Sequence, residues 1–295
     1  MNPREQGFLL LSSQLGDPAR KPLTTAQLRV LADRAWQLEM PQEDRDLNIS
    51  DLKSLGYGDQ MALRILNLLS QTEQLSYYIR QGARRNCFPI TRVSEGYPLR
   101  LRRQLGLDSP GVLWAKGDVS ILQKPAIALV GSRELFPANA AFAAAAGKQA
   151  ALQGYVLVSG NARGADRTAQ KACLDAGGQV ISVLADSLAE HEPHPRILYL
   201  SEDCFDSEFS AQRALSRNRV IHALTSKVLV AQCSLRTGGT WDGTVKNLRF
   251  GWSEVFCYRD DSESSLLLEQ MGANLIEPSH LADLSNLQGT THTLF

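Results

Sequence analysis

Residues 126–133 read Ala-Ile-Ala-Leu-Val-Gly-Ser-Arg, an apolar run that ends at a glycine and two polar residues. A short apolar run of this kind is typical of a strand that is buried on both faces of a sheet. A helix is predicted next, from Pro137 to Leu152, because proline favours the first helical turn and Gly154 follows the last one. The segment therefore predicts one strand–turn–helix unit of a parallel sheet.

The same alternation of apolar strands and helices continues along the chain. Further strands are predicted at 155–158, 180–184, 228–231 and 255–258, and further helices at 164–176, 211–224 and 240–250. Parallel strands need long right-handed crossovers, which the intervening helices supply. The pattern predicts the α/β class, with an extended, doubly wound, mostly parallel sheet of the Rossmann-like type. Such a sheet binds its ligand outside the carboxyl ends of its strands.

The region before this sheet is predicted to be a small helical domain. Leu28 and Leu31 begin a helical spacing of apolar residues that Thr24 or Thr25 can cap. Residues 52–65 combine a short helix, a Gly-Tyr-Gly turn and a second helix, which resembles a helix-hairpin-helix (SAM-like) motif. The sequence leaves open whether this motif contacts DNA or only packs. The predicted domains are the helical domain, residues 1–88, the Rossmann-like domain, residues 89–280, and a polar tail, residues 281–295.

The composition restricts the kinds of partner. The 295 residues include 31 basic and 31 acidic side chains, so a nucleic-acid site must be a local basic pocket. The 5 cysteines are dispersed, which predicts reduced thiols and no disulfide framework. No leader sequence is recognised and no apolar run approaches the ~20 residues that cross a bilayer. We expect a cytoplasmic protein without membrane contact.

Polar residues and glycines cluster at the predicted strand ends and on one helix. Glycines allow backbone N–H groups to approach an anion, helix N-termini attract negative charge, and arginine binds phosphate with two parallel hydrogen bonds. Because the strand ends meet in one crevice, these residues predict a site for a phosphate-bearing ligand. The candidate residues are Gly131, Ser132, Arg133, Ser159, Gly160, Arg163, Gly164, Asp166, Arg217, Asn218, Arg219, Thr237, Gly238 and Gly239.

Several enzymatic patterns are missing from the sequence. The first strand lacks the G-x-G-x-x-G turn of dinucleotide-binding proteins, and no G-x-x-x-x-G-K-[ST] or G-x-S-x-G segment occurs. His191 and His194 are three residues apart and flank Pro193, whereas a zinc-protease helix needs two histidines four residues apart. We therefore expect no catalytic residue, no metal and no cofactor.

Several segments resemble motifs of the DNA-processing (DprA/Smf) family, and they occur in the same order along the chain. This family has a Rossmann-like, SLOG-type fold. Residues 127–133 are similar to its opening strand and G-S-R motif, and residues 158–166 to its S-G-x-A-[RK]-G-x-D motif. Residues 200–202 and 217–221 resemble its L-x-S-E and R-N-R-I-I segments. Its Y-P-x-x-L and P-x-x-L-[YF]-x-K-G-[DN] motifs resemble residues 97–99 and 110–118.

This resemblance implies a non-enzymatic protein that binds single-stranded DNA. It also implies a recombination mediator that protects incoming DNA and loads the RecA recombinase during DNA uptake and transformation, acting as a homodimer. By position, the resemblance assigns phosphate contacts to Arg133, Arg163, Arg217 and Arg219. Ser132, Ser159, Gly160 and Gly164 would supply small donors. Asp166 would cap a helix or brace an arginine, since a carboxylate repels phosphate.

Two alternatives remain open at the level of sequence. The same phosphate pocket could serve a sensor of a nucleotide-derived small molecule, for example in phage defence. Residues 238–244 are also similar to the P-G-G-x-G-T-x-x-E motif of a family of nucleotide phosphoribohydrolases that activates cytokinins. Thr237 stands at the position of the motif's proline and Asn247 at that of its catalytic glutamate, which disfavours the hydrolase.

Overall fold

The computed structural model describes residues 1–37 and 47–287, which divide into two units. The first unit is Met1–Tyr97 with Pro110–Leu113, and the second is Pro98–Ser109 with the chain from Trp114 onward. Residues 38–46 of the predicted helical domain and residues 288–295 of the predicted tail lie outside the described residues. The predicted domain limits remain predictions, because a unit defined by contacts need not fold on its own.

The first unit is mainly helical. Its core includes the buried side chains of Leu52, Ala62 and Ile65. Thr24 caps the second helix, since its hydroxyl accepts the N–H of Gln27 at 3.2 Å. The elements are α1 (Pro3–Ser12), α2 (Thr25–Gln37), α3 (Ile49–Ser54), α4 (Asp59–Leu69), α5 (Thr72–Arg84) and β1 (Phe88–Thr91).

The helix-hairpin-helix-like segment is formed by α3 and α4. Gly56 adopts a φ of 78° in the turn between the two helices, a conformation that favours glycine. Lys53 and Asp59 form an ion pair of 2.6 Å across this turn. The segment thus has the predicted helix–turn–helix geometry, and its contact with DNA stays a prediction.

The second unit alternates strands and helices as predicted. Its strands are β2 (Val112–Lys116, which begins in the first unit), β3 (Ala126–Val130), β4 (Val156–Ser159), β5 (Val180–Val183), β6 (Ile197–Ser201), β7 (Lys227–Val230), β8 (Glu254–Tyr258) and β9 (Asn274–Ile276). Its helices are α6 (Leu99–Leu105), α7 (Pro137–Leu152), α8 (Ala165–Asp175), α9 (Ala211–Leu224), α10 (Gly238–Phe250) and α11 (Glu263–Gln270). Short 3-10 helices occupy Gly106–Asp108, Val119–Gln123, Leu188–Glu190 and Pro278–Ala282.

The strands form one sheet in the order β1-β2-β6-β5-β4-β3-β7-β8-β9. Pairs from β6 through β9 are parallel, and β2 pairs antiparallel with β6. The prediction of a mostly parallel, Rossmann-like sheet is confirmed. Chain order runs outward in opposite directions from β3 and β7, so the crossovers on the two sides diverge between these strands. In the part of the chain that is described, no helix has the length and apolar character needed to cross a bilayer.

Close packing of α7 against α8 depends on one glycine. A Cβ atom at Gly147 would lie 2.1 Å from the carbonyl oxygen of Ala169, well inside van der Waals contact. The opposing atom belongs to the backbone and cannot rotate away. Gly147 therefore allows the alanine-rich α7 to approach α8 and cover the sheet.

We expect Gly147→Ala to lower the free energy of unfolding by about 1–3 kcal/mol, because the two helices must separate. Gly7→Ala is the matched control, since Gly7 also lies within a helix and a Cβ atom there would meet nothing within 4 Å. The control should be neutral or stabilising by up to about 1 kcal/mol. Urea unfolding of both variants measures the difference, and equal stabilities would contradict this account of the packing.

Candidate functional site

A cleft of about 530 Å³ lies at the carboxyl ends of the strands, beside β3 and β7. This is the position at which a doubly wound sheet binds its ligands, because the crossovers diverge there. Its walls come from the residues after β3, the loop before α8, one face of α9 and the start of α10. The lining includes the candidate residues Gly131, Ser132, Arg133, Arg163, Asp166, Arg217, Asn218, Thr237, Gly238 and Gly239.

Four candidate residues lie outside the lining. Ser159 is buried, and its hydroxyl accepts a hydrogen bond from Gln170 at 2.6 Å. Arg219 forms an ion pair of 2.7 Å with Glu202, so its charge is directed toward that carboxylate. Gly160 lets the Arg217 guanidinium pack on its backbone, and Gly164 permits a close approach of the backbone at Ser132. The structure therefore gives these residues supporting positions, while their part in binding remains a prediction.

Gly164 allows the start of α8 to approach the segment that follows β3. Its φ of 84° favours glycine, and a Cβ would lie 2.4 Å from the carbonyl oxygen of Ser132. The N–H of Ala165 donates to that carbonyl at 3.1 Å. Two walls of the cleft are joined by this contact.

Arg217 forms the floor of the cleft and is only 7% exposed. Its guanidinium lies directly against Gly160, where a Cβ would come within 1.4 Å of Nη1. Nη1 donates to the carbonyl oxygen of Val183 at 3.0 Å, whereas Nε has no hydrogen-bond partner among the described residues. Burial lowers the pKa of Arg217, and the charge of Asp166 opposes that effect. The cleft therefore contains a buried cation with an unsatisfied donor.

Asp166 holds the loop that precedes α8. Its Oδ2 atom accepts the N–H groups of Gly160 at 3.1 Å and Ala162 at 3.2 Å. Burial raises the pKa of the Asp166 carboxyl, while Arg217 and these two hydrogen bonds act to lower it. The sequence interpretation gives Asp166 a capping or bracing role, and the structure shows that it braces the loop.

The rim of the cleft carries two exposed arginines, Arg133 and Arg163. Arg163 forms an ion pair of 3.0 Å with Glu134, and their side chains are 71% and 89% exposed. Exposed pairs of this kind contribute little to stability and exchange readily with other ions. Both arginines are therefore available to a negatively charged ligand.

The N-terminus of α10 faces the same cleft. Thr237 is the N-cap residue and makes no side-chain capping hydrogen bond, so the first amides of α10 are not satisfied by the cap. Asn218 donates to the carbonyl oxygen of Gly239 at 3.0 Å and fixes α10 against α9. Unsatisfied amides and the positive end of the helix dipole attract anions. This helix end and the arginines together make the cleft suitable for a phosphate group.

Sequence reasoning missed several residues of the lining, of which His222 is the most informative. It lies one helical turn after Asn218, so the spacing along α9 could have identified it. Asn247 is buried beside it, and the Asn247 amide nitrogen lies 3.0 Å from Nδ1 of His222. Since that nitrogen is a donor, Nδ1 accepts and the ring proton lies on Nε2. Glu134, Leu215 and Thr240 are further lining residues that the motifs did not indicate.

Burial lowers the pKa of His222 from 6.5 to about 4, so the contribution of this residue to stability depends on pH. The folded protein keeps the ring neutral, whereas the unfolded chain binds a proton below pH 6.5. The resulting stability is present above pH 6.5 and is lost as the pH falls toward 4.

We expect the loss of stability from this residue to reach about 3 kcal/mol between these limits. His222→Gln should therefore show a smaller drop in unfolding free energy between pH 7 and pH 5 than the unmodified protein, whatever its stability at pH 7. Urea unfolding at both pH values measures the two drops. Equal drops would show that His222 is not held neutral.

The described residues contain no group of three or more His, Cys, Asp or Glu that could hold a metal ion. His191 instead lies 3.2 Å from Asp186, and this contact lowers the pKa of the Asp186 carboxyl. All five cysteines are free thiols.

Comparison with known proteins identifies relatives that are similar in sequence. Protein Smf of Escherichia coli is 29% identical over 291 residues, covering 84% of this chain and 76% of the relative. DNA processing protein DprA of Bacillus subtilis is 32% identical over 176 residues, covering 56% of this chain and 57% of the relative.

Two of the solved structures that share the fold are DNA processing proteins. DNA processing protein A from Streptococcus pneumoniae superposes with a TM-score of 0.71 at 24% identity, covering 94% of this chain and 95% of that one. DNA processing protein A from Helicobacter pylori gives a TM-score of 0.55 at 24% identity, covering 64% of this chain and 90% of that one.

The sequence resemblance to the DprA/Smf family is confirmed by a family model. The family described as DNA recombination-mediator protein A matches residues 89–264, which include every candidate residue of the site. The chain belongs to the DNA recombination-mediator protein A family.

Proposed function

We propose that this protein binds single-stranded DNA in the cleft and acts as a recombination mediator. The observation that carries the proposal is the meeting of Arg133, Arg163 and Arg217 with the amide end of α10 in one cleft. The chain as a whole has balanced charge, so such a local basic site is where a nucleic acid would bind. The Helicobacter pylori protein, which shares the fold, is described as having a unique single-stranded DNA binding mode.

The proposal is binding without catalysis. Asn247 stands where the similar hydrolase motif has its catalytic glutamate, and its side chain is engaged inside the protein. Its amide donates to Ser253 at 2.8 Å, and its oxygen accepts the Ser253 N–H at 2.9 Å. Asp166, the buried carboxylate of the lining, is engaged with backbone N–H groups. Both arrangements support structural roles for these residues.

RecA loading and homodimer formation are part of the same proposal and rest on family membership. The rate of RecA assembly on single-stranded DNA coated with this protein tests the first. Sedimentation at several protein concentrations tests the second. An unchanged assembly rate, or a monomer at every concentration, would contradict the corresponding part.

We expect Arg133→Ala to weaken binding of labelled oligo-dT and to lower the salt slope of the binding constant by about one unit, because one phosphate contact is lost. Arg249→Ala is the matched control, since it removes the same charge from the far end of α10. Fluorescence anisotropy at several salt concentrations measures both affinity and slope. Equal effects of the two substitutions would place the DNA outside the cleft.

A second candidate function is the recognition of a nucleotide-derived small molecule. The volume of the cleft, about 530 Å³, falls in the range typical of small-molecule sites. Leu215 lines it and remains 45% exposed, so an apolar surface for a base is present.

If the protein has this second function, we expect calorimetry to detect binding of free nucleotides. Oligo-dT should then bind weakly, and its affinity should not depend on Arg133. Duplex DNA serves as a comparison ligand. Tight, salt-dependent binding of oligo-dT would exclude the sensor as the main function.

A further inference from the structure

We propose that the floor of the cleft binds a terminal phosphate, a phosphomonoester, in preference to an internal phosphodiester of a running strand. This inference rests on the proposed function and specifies the ligand of the same site. The terminal phosphate can belong to the end of a DNA strand or to a free nucleotide, which share this chemistry.

The first support is the orientation of Arg217. The guanidinium is fixed, because Nη1 donates to the carbonyl oxygen of Val183 and the whole group packs on Gly160. The Nε atom is buried and has no partner in the part of the chain that is described. The remaining N–H groups of the guanidinium are donors of the kind that bind oxyanions. A buried charge with an unpaired donor is costly, and an anion in the cleft would remove that cost.

The second support is the N-terminus of α10 on the same cleft. Its N-cap residue Thr237 does not satisfy the first amides, and Gly238 and Gly239 leave the backbone uncovered by side chains toward the ligand. An oxyanion held by Arg217 would find further donors there. Arg217 and the N-terminus of α10 can thus bind the same phosphate group.

The third support is the depth of Arg217. An internal phosphodiester has a chain on both sides and exposes two free oxygens, so the strand would have to enter and leave the cleft to reach a side chain that is only 7% exposed. A terminal phosphate has one attachment and three free oxygens, and it carries a charge of about −1.5 to −2 at neutral pH. It can enter end first, with Arg133 and Arg163 at the rim left for the following phosphates.

Asp166 faces the same space and works against an anion. Its Oδ2 atom is turned to the N–H groups of Gly160 and Ala162, which offset part of its charge. The lining then contains three arginines against Glu134 and Asp166, so the balance favours an anion of higher charge over one of lower charge.

The test compares oligo-dT carrying a 5′-phosphate or a 3′-phosphate with the same oligonucleotide ending in hydroxyl groups. A hydroxyl-ended oligonucleotide one residue longer controls for the added charge. Deoxythymidine monophosphate and deoxythymidine serve as competitors. We expect one phosphorylated end to bind about tenfold or more tightly than both controls, because two charge-assisted hydrogen bonds are added. The monophosphate should compete and the nucleoside should not.

Two variants connect this preference with the floor of the cleft. Arg217→Lys keeps the charge but loses the paired donors, and it should abolish the preference. Thr240→Glu places a carboxylate at the third position of α10, where glutamate favours helix formation, so the fold should be preserved. The carboxylate would occupy the anion site, and this variant should also abolish the preference. Gln270→Glu adds the same charge on the exposed surface of α11, outside the lining, and should keep the preference.

The outcomes separate this inference from the proposed function. Equal affinity for phosphorylated and hydroxyl-ended oligonucleotides, with strong salt dependence, would overturn the inference and leave single-stranded DNA binding intact. Binding of the monophosphate without binding of any oligonucleotide would overturn the proposed function and support the phosphate site. A preference that survives in both Arg217→Lys and Thr240→Glu would overturn the assignment to this floor.

Discussion

The cleft depends on the packing of one arginine against one glycine. The Arg217 guanidinium occupies the space that any side chain at position 160 would need, so it reaches the end of β4 only because residue 160 is glycine. The same contact buries the charge beneath the open end of the sheet. Asp166 then ties the Gly160 backbone to the start of α8. A strand end, two helices and a loop are thereby fixed around a polar floor.

The sheet order explains why this contact forms a cleft. Helices that cross on opposite sides of β3 and β7 leave their N-terminal ends exposed at the same edge. The start of α10 therefore lies near Arg217 although it follows a different strand. Asn218, the residue after Arg217, bonds to Gly239 and sets the distance between α9 and α10. The order of the strands therefore determines both the fold and the position of the cleft.

Much of this arrangement follows from local sequence signals. The sequence predicts the limits of β3 and α7 to the residue, because Gly131, Pro137 and Gly154 mark them. It does not predict the strands β1, β2, β6 and β9, since they lie among prolines, glycines and polar connectors.

The arginines show where sequence reasoning ends. Motif position assigns Arg217 and Arg219 the same role, but the structure buries the first in the floor and pairs the second with Glu202, 17 residues away. Such partners are set by tertiary contacts, which local pattern does not contain. Helical spacing after Asn218 could have placed His222 in the lining, but its hydrogen bond to Asn247 of the neighbouring helix is a tertiary contact that the sequence does not show.

The energetic character of the floor links stability to binding. A buried guanidinium with an unpaired donor reduces the stability of the free protein. A protein with balanced total charge gains no broad attraction for nucleic acid, so its affinity must come from such a concentrated site. A ligand that satisfies the floor binds only the folded state and therefore stabilises it in proportion to its affinity and concentration. The unpaired donor that makes the floor unfavourable in the free protein is thus also what favours an anion there.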